Sequence, residues 1–123
     1  LRELGRDPLV TNVSCPFTIG YGGAMGPAQF ITSTWNIMKA AIVAAVGKSV
    51  PDPWDAGDAF MASALYLRDL GASAGGYSAE INAACRYYSG KSCAAGTGAS
   101  YGNQVMAKAS NIQLNMIDPL QDN

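Results

Sequence analysis

The sequence predicts an all-α domain, and three observations carry that prediction. Apolar residues recur at helical spacing in several separate stretches. Glycines and prolines stand at the ends of those stretches rather than inside them. No stretch alternates apolar with polar residues for long, and no turn dipeptide lies between two strand-like runs. The length of 123 residues suits one small domain. With 49% apolar and only 14% charged residues, the chain can build one core and is not an intrinsically disordered polymer. It contains no internal repeat.

The elements follow in order. Leu1 to Arg6 reads as the tail of a helix, ended by Gly5 and Pro8. Residues 7–18, with Pro8, Pro16 and scattered β-branched residues, read as an ordered loop. A glycine-rich loop, Ile19-Gly-Tyr-Gly-Gly-Ala-Met-Gly-Pro, then runs into a helix, with Pro27 placed at its start. A longer helix is expected over Ser33 to Val46, with Ile31, Thr34, Trp35, Met38, Ile42 and Ala45 in register, Thr32 or Ser33 as cap, and Gly47 as terminator. Val50-Pro-Asp-Pro-Trp-Asp is a connector. Asp55 is suited to cap a helix over Ala56 to Leu70, with Asp58 in the first turn where a negative charge favours the dipole. Phe60, Ala64 and Leu67 form its expected inner stripe, and Gly71 ends it. Ser78 can cap a further helix to Ser89, with Ile81, Ala84, Cys85 and Tyr88 on one face. A last helix is expected over Ser100 to Met116, aligning Tyr101, Val105, Ile112 and Met116, with Pro119 as its stop.

Composition excludes several functions. A net charge of −1 gives no basic surplus for nucleic acid. The chain has no histidine, which removes His-dependent triads, His metal sites and the common pH switch. The longest nearly apolar run, Ala40 to Val46, is far short of the roughly 20 residues that span a bilayer. The chain opens on Leu-Arg-Glu, with neither an initiator Met nor a basic segment leading into an apolar run, and reads as a processed or trimmed chain. Cys85 and Cys93 bracket a Ser-Gly-Lys-Ser turn that can bring the thiols together, so a disulfide is expected there. The rival reading, metal ligation, lacks both His and a CxxC spacing. Cys15 is left as a buried free thiol or as the partner of a cysteine in a missing segment. A disulfide implies export to the periplasm, cell envelope or extracellular space.

The glycine-rich loop ahead of a helix suggests anion binding. The spacing argues against phosphate. There is no Walker-type lysine, and a G-x-G-x-x-G frame begun at Gly20 lands on Met25. A neutral polar ligand or a plain interhelical turn remain as readings, and no cofactor is implied.

The run Gly23-Ala-Met-Gly-Pro-Ala-Gln-Phe-Ile-Thr-Ser-Thr-Trp resembles a signature block of lytic transglycosylases with a lysozyme-like domain. Three further segments resemble that family in the same order. They are Asp52-Pro-Trp-Asp followed by Ala64-Leu-Tyr-Leu, then Ala83-Ala-Cys-Arg-Tyr-Tyr-Ser-Gly, then Tyr101-Gly-Asn-Gln-Val. The resemblance covers about Leu4 to Met116. It implies a lysozyme-like helical fold lacking its N-terminal helices, and an enzyme whose partner is the peptidoglycan glycan strand. Such an enzyme cleaves the β-1,4 bond between N-acetylmuramic acid and N-acetylglucosamine without water. One glutamic acid of raised pKa protonates the leaving oxygen, and then acts as the base while the muramyl C6 hydroxyl closes onto C1 to give a 1,6-anhydro sugar.

Only Glu3 and Glu80 are available as that acid. Glu3 precedes the signature block but lacks the Ser or Thr that follows the family's glutamate. Glu80 suits a helix first turn. The expectation is a catalytic glutamate upstream of Leu1, so that this chain alone is inactive. By the same resemblance Met25 and Gly26 face the sugar, Gln29 bonds an acetamido group, Tyr87 offers a stacking face, and Tyr101 positions the catalytic carboxylate. The plainer readings are a core Met, a solvated Gln and packed tyrosines. Tyr21 and Tyr88 are further candidates to line a glycan groove. Two departures stand out: Tyr88 occupies the family's Asn position, and Thr32 a position often held by Pro. The Asn12-Val-Ser sequon carries little weight. The competing functions are a glycan-binding module that has lost catalysis and a structural helical module of a surface assembly.

Overall fold

The computed structural model describes residues 1–15 and 23–121. Among them the chain is helical, with no strand. Four helices make up most of it: α1 (Thr32–Val46), α2 (Ala56–Asp69), α3 (Tyr77–Ser89) and α4 (Ala99–Ile112). Contacts gather into two compact units, Leu1–Leu65 and Tyr66–Asn123.

In the first unit, the expected N-terminal helix tail is a single 3-10 turn, Arg2–Leu4. Gly5 ends it in the left-handed region, its N–H bonded to the Arg2 carbonyl. α1 buries Trp35, Met38 and Ile42, which recur at i, i+3 and i+7 as the sequence requires. Ile31 and Ala45, expected on the same face, are exposed. No side chain caps α1: its N-cap is Ile31, and neither Thr32 nor Ser33 serves. Gly47 ends the helix with its N–H on the Val43 carbonyl. Asp55 caps α2, its Oδ1 accepting the Asp58 N–H at 2.9 Å. The inner face of α2 is not the expected one. Asp58, Ala59 and Ala62 are buried, whereas Phe60 is 65% exposed and Ala64 is also exposed.

In the second unit, α3 begins one residue before Ser78, at Tyr77, with Gly76 rather than Ser78 at its N-cap. Ala83, Ala84 and Cys85 are its buried residues. α4 packs on α3 where Gly102 is buried, and a Cβ there would stand 2.6 Å from Cys85 Sγ. Cys85 and Cys93 are joined, with Cα atoms 5.2 Å apart. The Cys93 N–H donates to Asn82 Oδ1 at 3.1 Å, which ties the loop after α3 back onto that helix.

The last helix does not stop at Pro119. It passes through a π-turn, Gln113–Ile117, into a final turn, Asp118–Gln121. Proline removes an N–H and crowds the carbonyl four residues back. The wider π-turn, closed by the Asp118 N–H on the Gln113 carbonyl, relaxes the ladder immediately before the proline. Ile112 and Met116, expected on the inner face, are exposed along with Leu114 and Leu120.

The disulfide closes a loop with a sequence separation of 8. Its reduction is expected to lower stability by about 2.5 kcal/mol on the loop-entropy account. Urea unfolding with and without reductant, followed by helical circular dichroism, measures this, and intact mass confirms the bond. Coincident unfolding midpoints would refute the estimate.

Candidate functional site

The signature block is built from a short backbone scaffold. Ser14 and Ala24 lie side by side. The Ser14 N–H donates to the Ala24 carbonyl at 3.0 Å, and the Ala24 N–H donates to Ser14 Oγ at 2.8 Å. Met25 forms antiparallel bridges with both Val13 and Phe30, and its N–H reaches the Phe30 carbonyl at 2.8 Å. Between the bridging residues Met25 and Phe30 the chain reverses in a turn over Gly26 to Gln29, closed by the Gln29 N–H on the Gly26 carbonyl at 3.2 Å. Pro27 therefore presets a turn and does not start a helix.

Two residues of this turn have unusual backbone. Gly26 has φ 63°, and a Cβ there would lie 1.9 Å from the Pro53 carbonyl oxygen. Both facts require glycine. Gln29 has φ 56°, the only positive-φ non-glycine among the described residues. This conformation is unfavourable for an L side chain and is kept only where the surroundings impose it. The Gln29 side chain is exposed, and its Nε2 donates to the Gly26 carbonyl at 2.9 Å. One amide hydrogen is thus used within the turn, which leaves Gln29 its second N–H as a donor and its carboxamide oxygen as an acceptor for a ligand. Met25 is only 4% exposed and Gly26 half-buried. Phe30 and Trp35 are buried below the turn, edge to face with ring centres 5.5 Å apart. Gly20, Tyr21 and Gly22 lie outside the described residues.

The turn rests on the connector between α1 and α2. Pro51 and Pro53 are fully buried there. The Asp52 carboxylate accepts the Trp54 N–H at 2.9 Å and pairs with the Arg6 guanidinium, whose Nε donates at 3.1 Å and whose terminal nitrogen bonds the second oxygen. Arg6 also lies over the Trp54 ring, 4.7 Å from its centre, and Trp54 Nε1 donates to the Asn12 carbonyl at 3.2 Å. Asp58 is 2% exposed. Its Oδ1 accepts from Lys48 Nζ at 2.7 Å, and its Oδ2 accepts the Asp52 N–H at 2.9 Å. The Lys48 hydrogen bond, working against burial and helped by the Asp52 N–H, holds the Asp58 carboxyl below its usual range. Burial of Asp52 opposes its charge, but the bonds from Arg6 and the Trp54 N–H prevail and lower its pKa as well.

Glu3 lies on the N-terminal 3-10 turn, exposed, at the rim of an open cavity of about 50 Å³ that Met25, Trp35, Asn36 and Lys39 also line. The structure thus brings Glu3 and Met25 to one cavity. That space holds a water or two rather than a sugar ring. The Trp35 indole N–H is buried without a hydrogen-bond partner among the described residues.

In the second unit Tyr87 packs on Tyr66, ring centres 5.3 Å apart and tilted 58°. Tyr88 is 63% exposed and stacks on Tyr101 at 4.9 Å with planes 17° apart. Tyr101 is half-buried, and that burial raises its phenol pKa further above neutral. Glu80 is exposed in the first turn of α3, and Cys15 is a free thiol that is exposed rather than buried as expected. The described residues contain no group of His, Cys, Asp or Glu able to hold a metal ion and no helix long and apolar enough to cross a membrane. Sequence reasoning placed Asp58 at a helix dipole and missed its pairing with Lys48 and its hold on Asp52. The available signal was the acidic spacing Asp52, Asp55, Asp58 around one lysine.

The lowered carboxyls set an acid limit. Their contribution is complete above the unfolded value of 3.8 and is lost as pH falls through the lower folded values. Thermal unfolding between pH 7 and pH 2 is therefore expected to show a decline that begins near pH 4 and is shallower in Asp58→Asn. Parallel curves for the two proteins would refute the assignment. The chain matches no protein-family model, no curated protein and no solved structure.

Proposed function

We propose that this chain is the greater part of a peptidoglycan lytic transglycosylase domain of lysozyme-like fold, exported to the cell envelope. Its turn Gly26 to Gln29 binds the glycan strand, and the general-acid glutamate is supplied from N-terminal to Leu1. The observation that carries the reading is Gln29. It is a non-glycine residue held at φ 56° by the turn's own hydrogen bonds to the Gly26 carbonyl, and its carboxamide is thereby fixed at the surface. Its carboxamide oxygen can accept the N–H of an acetamido group, and its second amide hydrogen can donate to that group's C=O. The turn's other outlier, Gly26, is explained by its contact with Pro53, so the glycine alone would not argue for a ligand.

Neither glutamate of the chain suits the acid. A carboxyl that must remain protonated near neutral pH needs an apolar enclosure, and Glu3 and Glu80 are both exposed. In the second unit, Tyr101 keeps its proton and can donate to a carboxylate, while Tyr87 and Tyr88 offer ring faces to sugar.

The chain is expected to sediment with purified sacculi and to release no anhydro-muropeptides, which mass spectrometry of the supernatant checks. Release abolished by Glu3→Gln would move the acid to Glu3. No association with sacculi would overturn the glycan-binding reading. A sharper test is Gln29→Gly, which relieves the backbone while removing the carboxamide. Its melting temperature is expected to stay at or above that of the parent while sacculus binding falls several-fold. Retained binding would show that Gln29 does not meet the glycan.

A further inference from the structure

We propose that Asp58 is a positioning residue for the glycan-binding turn, acting through Asp52 and Pro53. The inference rests on the function proposed above and assigns a role to a side chain that function leaves unused. The path is continuous. Asp58 Oδ2 accepts the Asp52 N–H at 2.9 Å, which fixes the backbone between the two buried prolines. The Pro53 carbonyl then lies so close to Gly26 that a Cβ would stand 1.9 Å from its oxygen. Gly26 in turn accepts, at its carbonyl, both the backbone N–H and the side-chain Nε2 of Gln29. Asp58 is thus linked to the Gln29 carboxamide through one connector and one turn.

Helix stabilisation alone does not account for this aspartate. A carboxylate in the first turn of α2 favours the dipole equally well when exposed, and Asp55 already caps that helix. Asp58 is instead buried, with one oxygen on the exit of α1 through Lys48 and the other on the connector. A buried carboxylate persists only where its partners are in place. Here those partners are the two segments whose spacing decides where Pro53 meets Gly26. The Lys48 ammonium also stands 3.6 Å from Asp55, so α1 and the cap of α2 are held by the same cation.

The test compares the whole chain with Asp58→Asn and with Ile42→Val, a destabilising change in the core of α1 where Ile42 is fully buried. Two quantities are read at a temperature where all three proteins are folded: the backbone amide shifts of Gly26 and Gln29, and the Kd for chitotetraose by NMR titration. Asp58→Asn is expected to move both amides and to weaken binding about tenfold, while Ile42→Val leaves both near the parent values. If Asp58→Asn behaves as Ile42→Val does, Asp58 is structural only and the proposal falls. If the parent chain binds no chitotetraose, the glycan-binding function itself falls, and with it any positioning role. If Asp58→Asn moves the amides yet binds as the parent does, the turn is not where the sugar is held, and the proposal is again overturned.

Discussion

The first unit depends on the buried carboxylate of Asp58. Without it, Lys48 loses its closest anion and the Asp52 N–H loses its acceptor inside the protein. The consequences would spread, because Asp52 organises the rest of the connector: it holds the Trp54 N–H and Arg6, and Arg6 lies on the indole of Trp54. Removing one partner from such a set leaves other polar groups unpaired, which costs more than the lost bond itself. The half-exposed Lys48 limits the desolvation penalty that a wholly buried ion pair would incur. The arrangement therefore combines a committed anion with a cation that still meets water.

The glycine-rich block is shaped by close backbone contacts. A Cβ at Gly23 would lie 1.8 Å from the Ser14 carbonyl oxygen, and one at Gly26 would lie 1.9 Å from that of Pro53. Both glycines are demanded by the chain's own backbone. The block is a turn clamped between two loops; Pro27 and Gln29 are its exposed residues, and of the two only Gln29 carries a polar side chain. A phosphate-type loop would aim backbone N–H groups at a ligand. Here the N–H groups of Ala24, Met25 and Gln29 are bonded within the protein. In the proposed glycan site, recognition at this turn would rest on the Gln29 carboxamide, a neutral donor and acceptor that matches an amide better than an anion.

The legible and illegible parts of the structure divide along physical lines. Helix ends set by local chemistry could be read from sequence: Gly47 after α1, Asp55 before α2 and the Cys85–Cys93 pair all depend on residues a few positions apart. Faces were harder. Phe60 fits a helical stripe by spacing, but the face of α2 that is buried is the one carrying Asp58, Ala59 and Ala62. Small residues allow that face to pack closely, and hydropathy alone ranks it below Phe60 and Leu67. Pro119 was read as a stop from its missing N–H, whereas a π-turn lets the helix continue past it. In the site, Gln29 was legible as a candidate from the signature block, but its positive φ was not, because glutamine gives no local signal for it. The Asp58 network was illegible for a related reason. Its partners lie 6 and 10 residues away, across two buried prolines, and nothing in a helix-dipole argument distinguishes an exposed aspartate from a buried one.

In the second unit, Tyr88 stands where the resembled family commonly has asparagine, and the change alters what that position can do. Asparagine offers two donors and an acceptor in a short side chain. Tyr88 instead stacks nearly parallel on Tyr101, leaving its other face to solvent. Stacking on Tyr88 holds the ring of Tyr101, whose partial burial raises its phenol pKa. The hydrogen bonds an asparagine would supply are exchanged for a firmer hold on the tyrosine that follows the disulfide loop. Tyr101 is only half-buried, so a hydroxyl that meets water suits that position without any further task, and under the proposed function the held ring would in addition set where that hydroxyl lies.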